Sequence, residues 1–216
     1  AERARPELAA PDQAVWFDRL EVERPNFRAA LSHFAGAGDA VAGLRVAGAL
    51  GWFWSSRGYL REGRAWLETV LALPAVPFAS AARAVALNEA GNIAHWQGDL
   101  GRAESLFDQA LAVGRAAGDR PGVAGSLRCL GSLAIAQGEP ERAARLLEES
   151  LALFREIGNE WDIAFGTMKV GCMVCARGDH ATGAARFAEA VELFRAVGDR
   201  AYVAGALALL GDAVFM

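Results

Sequence analysis

Lysine is almost missing from this chain of 216 residues: Lys169 stands alone among 22 Lys and Arg residues. With 26 acidic residues and a formal net charge of −4, the chain has no basic surplus for holding nucleic-acid phosphates by its overall field. Nor is there a G-x-x-x-x-G-K-[ST] phosphate loop, so any ATPase would have to lie outside these residues. Cysteine is scarce too. Cys129, Cys172 and Cys175 are odd in number, which argues against a disulfide scaffold and fits a reducing compartment, so a cytoplasmic location is expected. No run reaches the ~18 uninterrupted apolar residues of a membrane helix. The nearest, 41–54, is short and contains Arg45. The chain opens on neither an initiator methionine nor a signal peptide and stops abruptly at 213–216, and it reads as a segment excised from a longer protein.

Hydrophobic residues make up 53% of the sequence, ample for a buried core. Alanine is the commonest residue, and no window shows sustained apolar–polar alternation, so no strands are expected. Glycine carries the organisation. Gly51, Gly91, Gly131, Gly171 and Gly211 recur every 40 residues, and Gly58, Gly98, Gly138 and Gly178 follow seven later. Gly118, Gly158 and Gly198 form a third series, two periods after Gly38. Apolar positions keep the register, as in Leu67, Phe107, Leu147 and Phe187. Each period reads as two helices, for instance 81–97 and 100–117, each closed by a glycine able to take the left-handed conformation. Asp99, Glu139 and Asp179 sit where helices begin; Asp can cap free N–H groups there, and either acid opposes the dipole. The expectation is an all-α, right-handed α-solenoid of antiparallel helix pairs, with a helical segment at 1–39 leading into about four and a half repeats at 40–216.

The pattern resembles the tetratricopeptide repeat (TPR). Gly91, Gly131 and Gly171 fit the small residue midway along that family's first helix; Gly63, Ala103, Ala143 and Gly183 fit the small residue early in its second. The period of 40 is longer than the usual ~34 and within reach of HEAT-type repeats, which have no reason to keep these glycines. A narrower resemblance covers the N-terminal part. Asn26, Arg28, Ala29, Ala30, Leu31, Gly63, Arg64, Trp66 and Leu67 match the region after the ATPase module of bacterial LuxR-type and AfsR-type regulators, the STAND ATPases related to MalT. Pro25 departs from that pattern and reads as a start or kink of a helix. The resemblance implies a sensor or protein-interaction arm of a transcription regulator without an active site. A free-standing TPR adaptor is the alternative.

In such a solenoid the first helices line the concave face. On them fall Arg45 and Trp52, then Asn88, Glu89, Asn92, His95 and Trp96, then Arg128 and Ser132, then Met168, Lys169 and Cys172. Aromatic anchors beside directional polar groups suit a protein or peptide partner, with a small-molecule effector as a second ligand class; an ordinary solvated wall is the alternative. Cys172 and Cys175 share a helix face at i, i+3, but four ligands for a structural zinc are lacking. They read as a reduced structural pair, with a thiol sensor as the lesser reading. His33, His95 and His180 stand apart from any nucleophile motif, so neither catalysis nor a cofactor is expected. Residues 200–215 form a first helix without its second, so either further repeats follow in the parent protein or Leu207, Leu210, Val214 and Phe215 drive weak self-association, which is the expectation here.

Overall fold

The computed structural model describes residues 1–8, 13–74 and 80–215. Among them are eleven helices and no strand: α1 (Ala4–Glu7), α2 (Gln13–Ala37), α3 (Ala40–Ser56), α4 (Leu60–Leu71), α5 (Ala81–Trp96), α6 (Leu100–Ala117), α7 (Arg120–Gln137), α8 (Pro140–Ile157), α9 (Glu160–Ala176), α10 (His180–Val197) and α11 (Arg200–Phe215). The fold is an all-α solenoid of antiparallel helix pairs, in which α3, α5, α7, α9 and α11 are the first helices of successive repeats. Two compact units make up the chain, Ala1–Ser126 and Leu127–Met216, with the boundary inside α7.

The helix ends follow from local chemistry. Gly118 ends α6 with φ 64°, and its N–H returns to the last turn at the carbonyls of Gly114 and Arg115. A residue with a Cβ would be strained there. Glycines at seven other junctions between 38 and 198 share this positive φ. Asp39, Asp99, Asp119, Asn159 and Asp179 each accept a hydrogen bond from the backbone N–H three residues on. Glu139, one methylene longer, makes no such cap and instead pairs with Arg142 at 2.9 Å. Pro25 does not start a helix: α2 runs through it from Gln13 to Ala37. Only the bond from residue 25 to the carbonyl of Glu21 is forfeited, and Pro25 faces solvent.

Small residues set how closely paired helices approach. A Cβ on Gly131 would lie 2.6 Å from Leu147 Cγ, and one on Gly171 would lie 2.8 Å from Phe187 Cε1. The ring of Phe107 fills the same place at Gly91. Leu67, Phe107, Leu147 and Phe187 are all buried, as are Ala103 and Ala143. Gly51 keeps the register but not the role: the side chain of Glu89 in α5, not Leu67, occupies the space a Cβ would take.

The segments that carried the STAND-regulator resemblance meet in the first unit. Leu31 and Leu67 are fully buried. Arg28 Nε and Nη2 donate to Glu62 Oε1 and Oε2 at 2.7 and 2.6 Å, tying α2 to α4. Arg24 lies 3.5 Å from Glu62 and 3.8 Å from the ring centroid of Tyr59. The hydrogen bond from Arg28 holds the Glu62 carboxyl below its ordinary value, against the opposing pull of burial. A depressed carboxyl contributes stability that is complete above its unfolded value and disappears as pH falls through the folded one. Glu62→Gln is therefore expected to cost about 0.5–1 kcal/mol at neutral pH, since Arg28 is half-exposed. The cost should vanish below the usual carboxylate range, and urea melts at pH 7 and pH 3 measure the difference.

Candidate functional site

The residues expected on the binding face divide between the two units. In the first, Arg45 is already engaged: its Nε and Nη2 donate to Glu2 Oε1 and Oε2 at 2.7 and 2.8 Å. Trp52 is half-buried against the core of this unit. Glu89 reaches over Gly51 of α3 and accepts a hydrogen bond from Asn92 Nδ2 at 3.4 Å. Asn88, expected on the open wall, is only 8% exposed. Its Nδ2 donates to Ser126 Oγ at 3.0 Å, and Ser126 donates to the Gly122 carbonyl at 2.9 Å, so the amide pins α5 to the start of α7. His95 packs edge-on to Trp96 with ring centroids 6.1 Å apart, and Trp96 is 70% exposed. A separate open groove of about 910 Å³ runs along α2, lined by Val15, Trp16, Val22 and Phe27 beside Ala1, Arg3 and Ala4. Nothing in the repeat register had pointed to it.

In the second unit α9 and α11, with Phe194 of α10, build an aromatic nest. Trp161 stacks on Phe165 with centroids 5.4 Å apart, and the Tyr202 ring meets both, at 5.2 and 5.8 Å. Trp161 Nε1 donates to Asp199 Oδ2 at 3.0 Å. The other carboxylate oxygen of Asp199 accepts from the backbone N–H groups of Ala201 and Tyr202, capping α11. One buried carboxylate thus ties α9 to the start of α11. Above the nest lie two cations: Arg128 Cζ and Lys169 Nζ are each 5.2 Å from the Phe165 ring centroid. Arg128 also pairs with Asp162 at 3.1 Å. Burial raises the Tyr202 hydroxyl above its ordinary pKa, so it stays protonated at neutral pH.

Ser132, one turn beyond Arg128, is half-buried. Met168 corrects the sequence reading: it is 6% exposed and belongs to the core with Phe165 and Phe187. One residue further along the helix, Lys169 is half-buried at the surface. Cys172 is half-buried, and burial pushes its thiol up while the Lys169 ammonium pulls it down. That net shift is opposite to what a reactive thiolate needs. Cys175 Sγ packs into the space beside Gly183, where α9 crosses α10. The three thiols form no disulfide. Among the described residues no group of three or more His, Cys, Asp or Glu side chains is placed to hold a metal ion, and no helix is long and apolar enough to cross a membrane.

In α11, Leu207, Val214 and Phe215 are 43%, 66% and 92% exposed, whereas Leu210 packs partly against the core of the second unit. The positions 40 and 80 residues before Leu207, Thr167 and Leu127, are buried. Nothing lies within 4 Å of where a Cβ of Gly211 would be.

Residues 82–156 match the tetratricopeptide repeat family. No curated protein matches the chain. Among solved structures, the chain resembles BtubC from P. vanneervenii at 20% identity and TM-score 0.66, over 85% of this chain and 78% of that one. It also resembles YrrB, described as a TPR protein with an unusual peptide-binding site, at 22% identity and TM-score 0.53, over 87% of this chain and 81% of that one. The third is a STAND protein (Signal Transduction ATPase with Numerous Domains) with a tetratricopeptide repeat sensor from Pyrococcus horikoshii. There identity is 14% and the TM-score 0.69, over 94% of this chain but only 32% of that protein. These likenesses establish the TPR fold.

Proposed function

We propose that this chain is the non-catalytic, partner-sensing arm of a cytoplasmic signal-transduction regulator, and that it binds protein or peptide on the faces of its first helices. The observation that carries the reading is the contrast between the two helix types. Second-helix positions such as Phe107, Leu147 and Phe187 are apolar and buried, whereas the first helices present Trp52, Glu89, Asn92, Trp96, Arg128 and Lys169 at or near the surface. Aromatic anchors beside fixed polar groups are what peptide recognition uses. The likeness to a STAND sensor supports the regulator context, as does the joint built by Arg28, Leu31, Glu62 and Leu67. The likenesses to BtubC and YrrB, which extend over most of those chains, favour a free-standing adaptor as the second reading. The coding sequence on either side of these residues separates the two. An ATPase module before residue 1 and a helix-turn-helix elsewhere in the same gene support the regulator; a gene lacking both supports the adaptor.

The α11 face belongs to the same proposal, with a second copy of the chain as its occupant. Phe215 is an exposed knob and Gly211, one turn earlier, an open hole on the same helix. Two antiparallel copies of α11 would exchange knob for hole reciprocally, as a two-fold interface requires. The contact would continue the glycine-and-large-residue packing seen at Gly131 with Leu147. Sedimentation velocity on the 216-residue chain is expected to show weak dimerisation across the micromolar range, reduced by Phe215→Glu. A strict monomer throughout that range would contradict it.

A further inference from the structure

We propose that the apolar groove along α2 is a docking site for one amphipathic helix of a partner protein, with large apolar residues on one face and acidic residues on its flank. The site lies apart from the first-helix faces and stands or falls without them. Ala4 and Leu20, both buried, form its floor, and Trp16 and Phe27 pack partly against the core beneath. Its rim leaves valine in water: Val15 is 48% exposed and Val22 77%. Residues 15, 19 and 22 and residues 16, 20, 23 and 27 make two adjacent rows at helical spacing. Single exposed apolar residues are ordinary; here they border one continuous apolar cavity of about 910 Å³. Over 15–27 the stripe runs about 18 Å at 1.5 Å per residue. A small ligand would leave most of that length open. A helix of some three turns laid along it covers the whole, with its own ridge of side chains entering the groove.

The charges select the kind of helix. Arg3, Asp18, Arg19 and Glu23 are the charged side chains that line the groove. Asp18 is taken up by Arg57 at 2.7 Å. Glu23 accepts from the Asn26 amide at 2.8 Å and attracts the Ala1 amino group. Arg19 lies over the Trp16 ring, with Cζ 4.9 Å from the centroid, and neither it nor Arg3 has a carboxylate partner among the described residues. The two arginines are the groove's unanswered charges, so an acidic flank on the incoming helix is attracted and a basic one repelled. A guanidinium resting on an indole face keeps its edge N–H groups free to donate in their fixed fork, which suits a carboxylate arriving from the side.

Three capped, hydrocarbon-stapled helical peptides of matching length test this on the ¹⁵N-labelled 216-residue chain at low ionic strength. One carries leucine on one face and glutamate on the flank, the second has lysine in place of the glutamate, and the third has the glutamate composition with its leucines scattered around the helix. The expected result is saturable shifts of the amides over 15–27 and of the Trp16 indole with the glutamate peptide. It should bind about three- to tenfold tighter than the lysine peptide, and the scattered one should not bind. Arg19→Glu should reverse that order, and Val22→Glu should weaken the glutamate peptide about tenfold or more. Both residues are exposed, so neither change should move the melting temperature. Equal binding of the scattered peptide, or no binding by any of the three, overturns the site. Equal binding of the glutamate and lysine peptides overturns the acidic partner. Shifts on the first helices alone overturn the groove and leave the first-helix reading intact. Self-association in sedimentation velocity that Val22→Glu abolishes assigns the groove to a second copy and overturns the partner helix.

Discussion

Asp199→Ala should destabilise the protein by about 1.5–3 kcal/mol, from two separable losses. The first is the cap: Asp199 accepts the N–H groups of Ala201 and Tyr202 at the start of α11, and removing such a cap costs about 0.5–2 kcal/mol. The second is the Trp161 indole N–H, which loses its acceptor at 3.0 Å while remaining packed among Phe165, Phe194 and Tyr202. This donor is only partly buried, so the loss is set at the low end of the range for a broken hydrogen bond, about 1 kcal/mol. Asp199→Asn separates the two. Its single carbonyl oxygen can cap α11 or accept from Trp161 but not both, so an intermediate cost is expected. Urea denaturation gives the stabilities, and the Trp161 indole resonance reports on the second bond directly. A cost below about 0.5 kcal/mol for Asp199→Ala would show that this tie between α9 and α11 contributes little.

Gly131→Leu should also be strongly destabilising. A Cβ alone would stand 2.6 Å from Leu147 Cγ and 2.8 Å from Leu147 Cδ2, so α7 and α8 must separate or Leu147 must leave its place. Overpacking of this kind costs about 1–3 kcal/mol, opposed by about 1 kcal/mol of improved helix propensity. The clash should prevail, with a melting temperature lower by several degrees. Gly131→Ala gives a milder version, and combining it with Leu147→Ala should make the two effects less than additive because the second change empties the space the first needs. An unchanged or raised melting temperature for Gly131→Leu would place the helix crossing elsewhere.

The features legible in the sequence are those that local chemistry imposes. A glycine at positive φ and an aspartate three residues before a free N–H are each settled within one turn, so the ends of α6 and α10 could be placed from residues alone. The crossings at Gly91, Gly131 and Gly171 were legible because repetition at a fixed period turns a tertiary contact into a pattern. What was hidden involves side chains that leave the register. Glu89 fills the space at Gly51, where the series implied a residue of the second helix. Arg45 looked open to ligand, but Glu2, 43 residues earlier, reaches it. Asn88 was expected on the wall and is buried against Ser126, a serine whose neighbours carry no sign of that bond. Met168 and Lys169 are adjacent, and a small rotation of α9 about its axis decides which of them faces out. Periodicity fixes that rotation only to within a residue. The aromatic nest around Trp161 had no signal beyond composition, because its members come from three helices and from no single repeat position.

Backbone amide mapping on ¹⁵N-labelled protein, titrated with a mixed-sequence peptide pool, tests the central claim most directly. The account predicts saturable shifts on the surface-reaching residues of α3, α5, α7 and α9, including half-buried Trp52 and Lys169 and exposed Trp96, with the outer faces of α4, α6, α8 and α10 unmoved. Shifts confined to those second helices, or none at any peptide concentration, would contradict it.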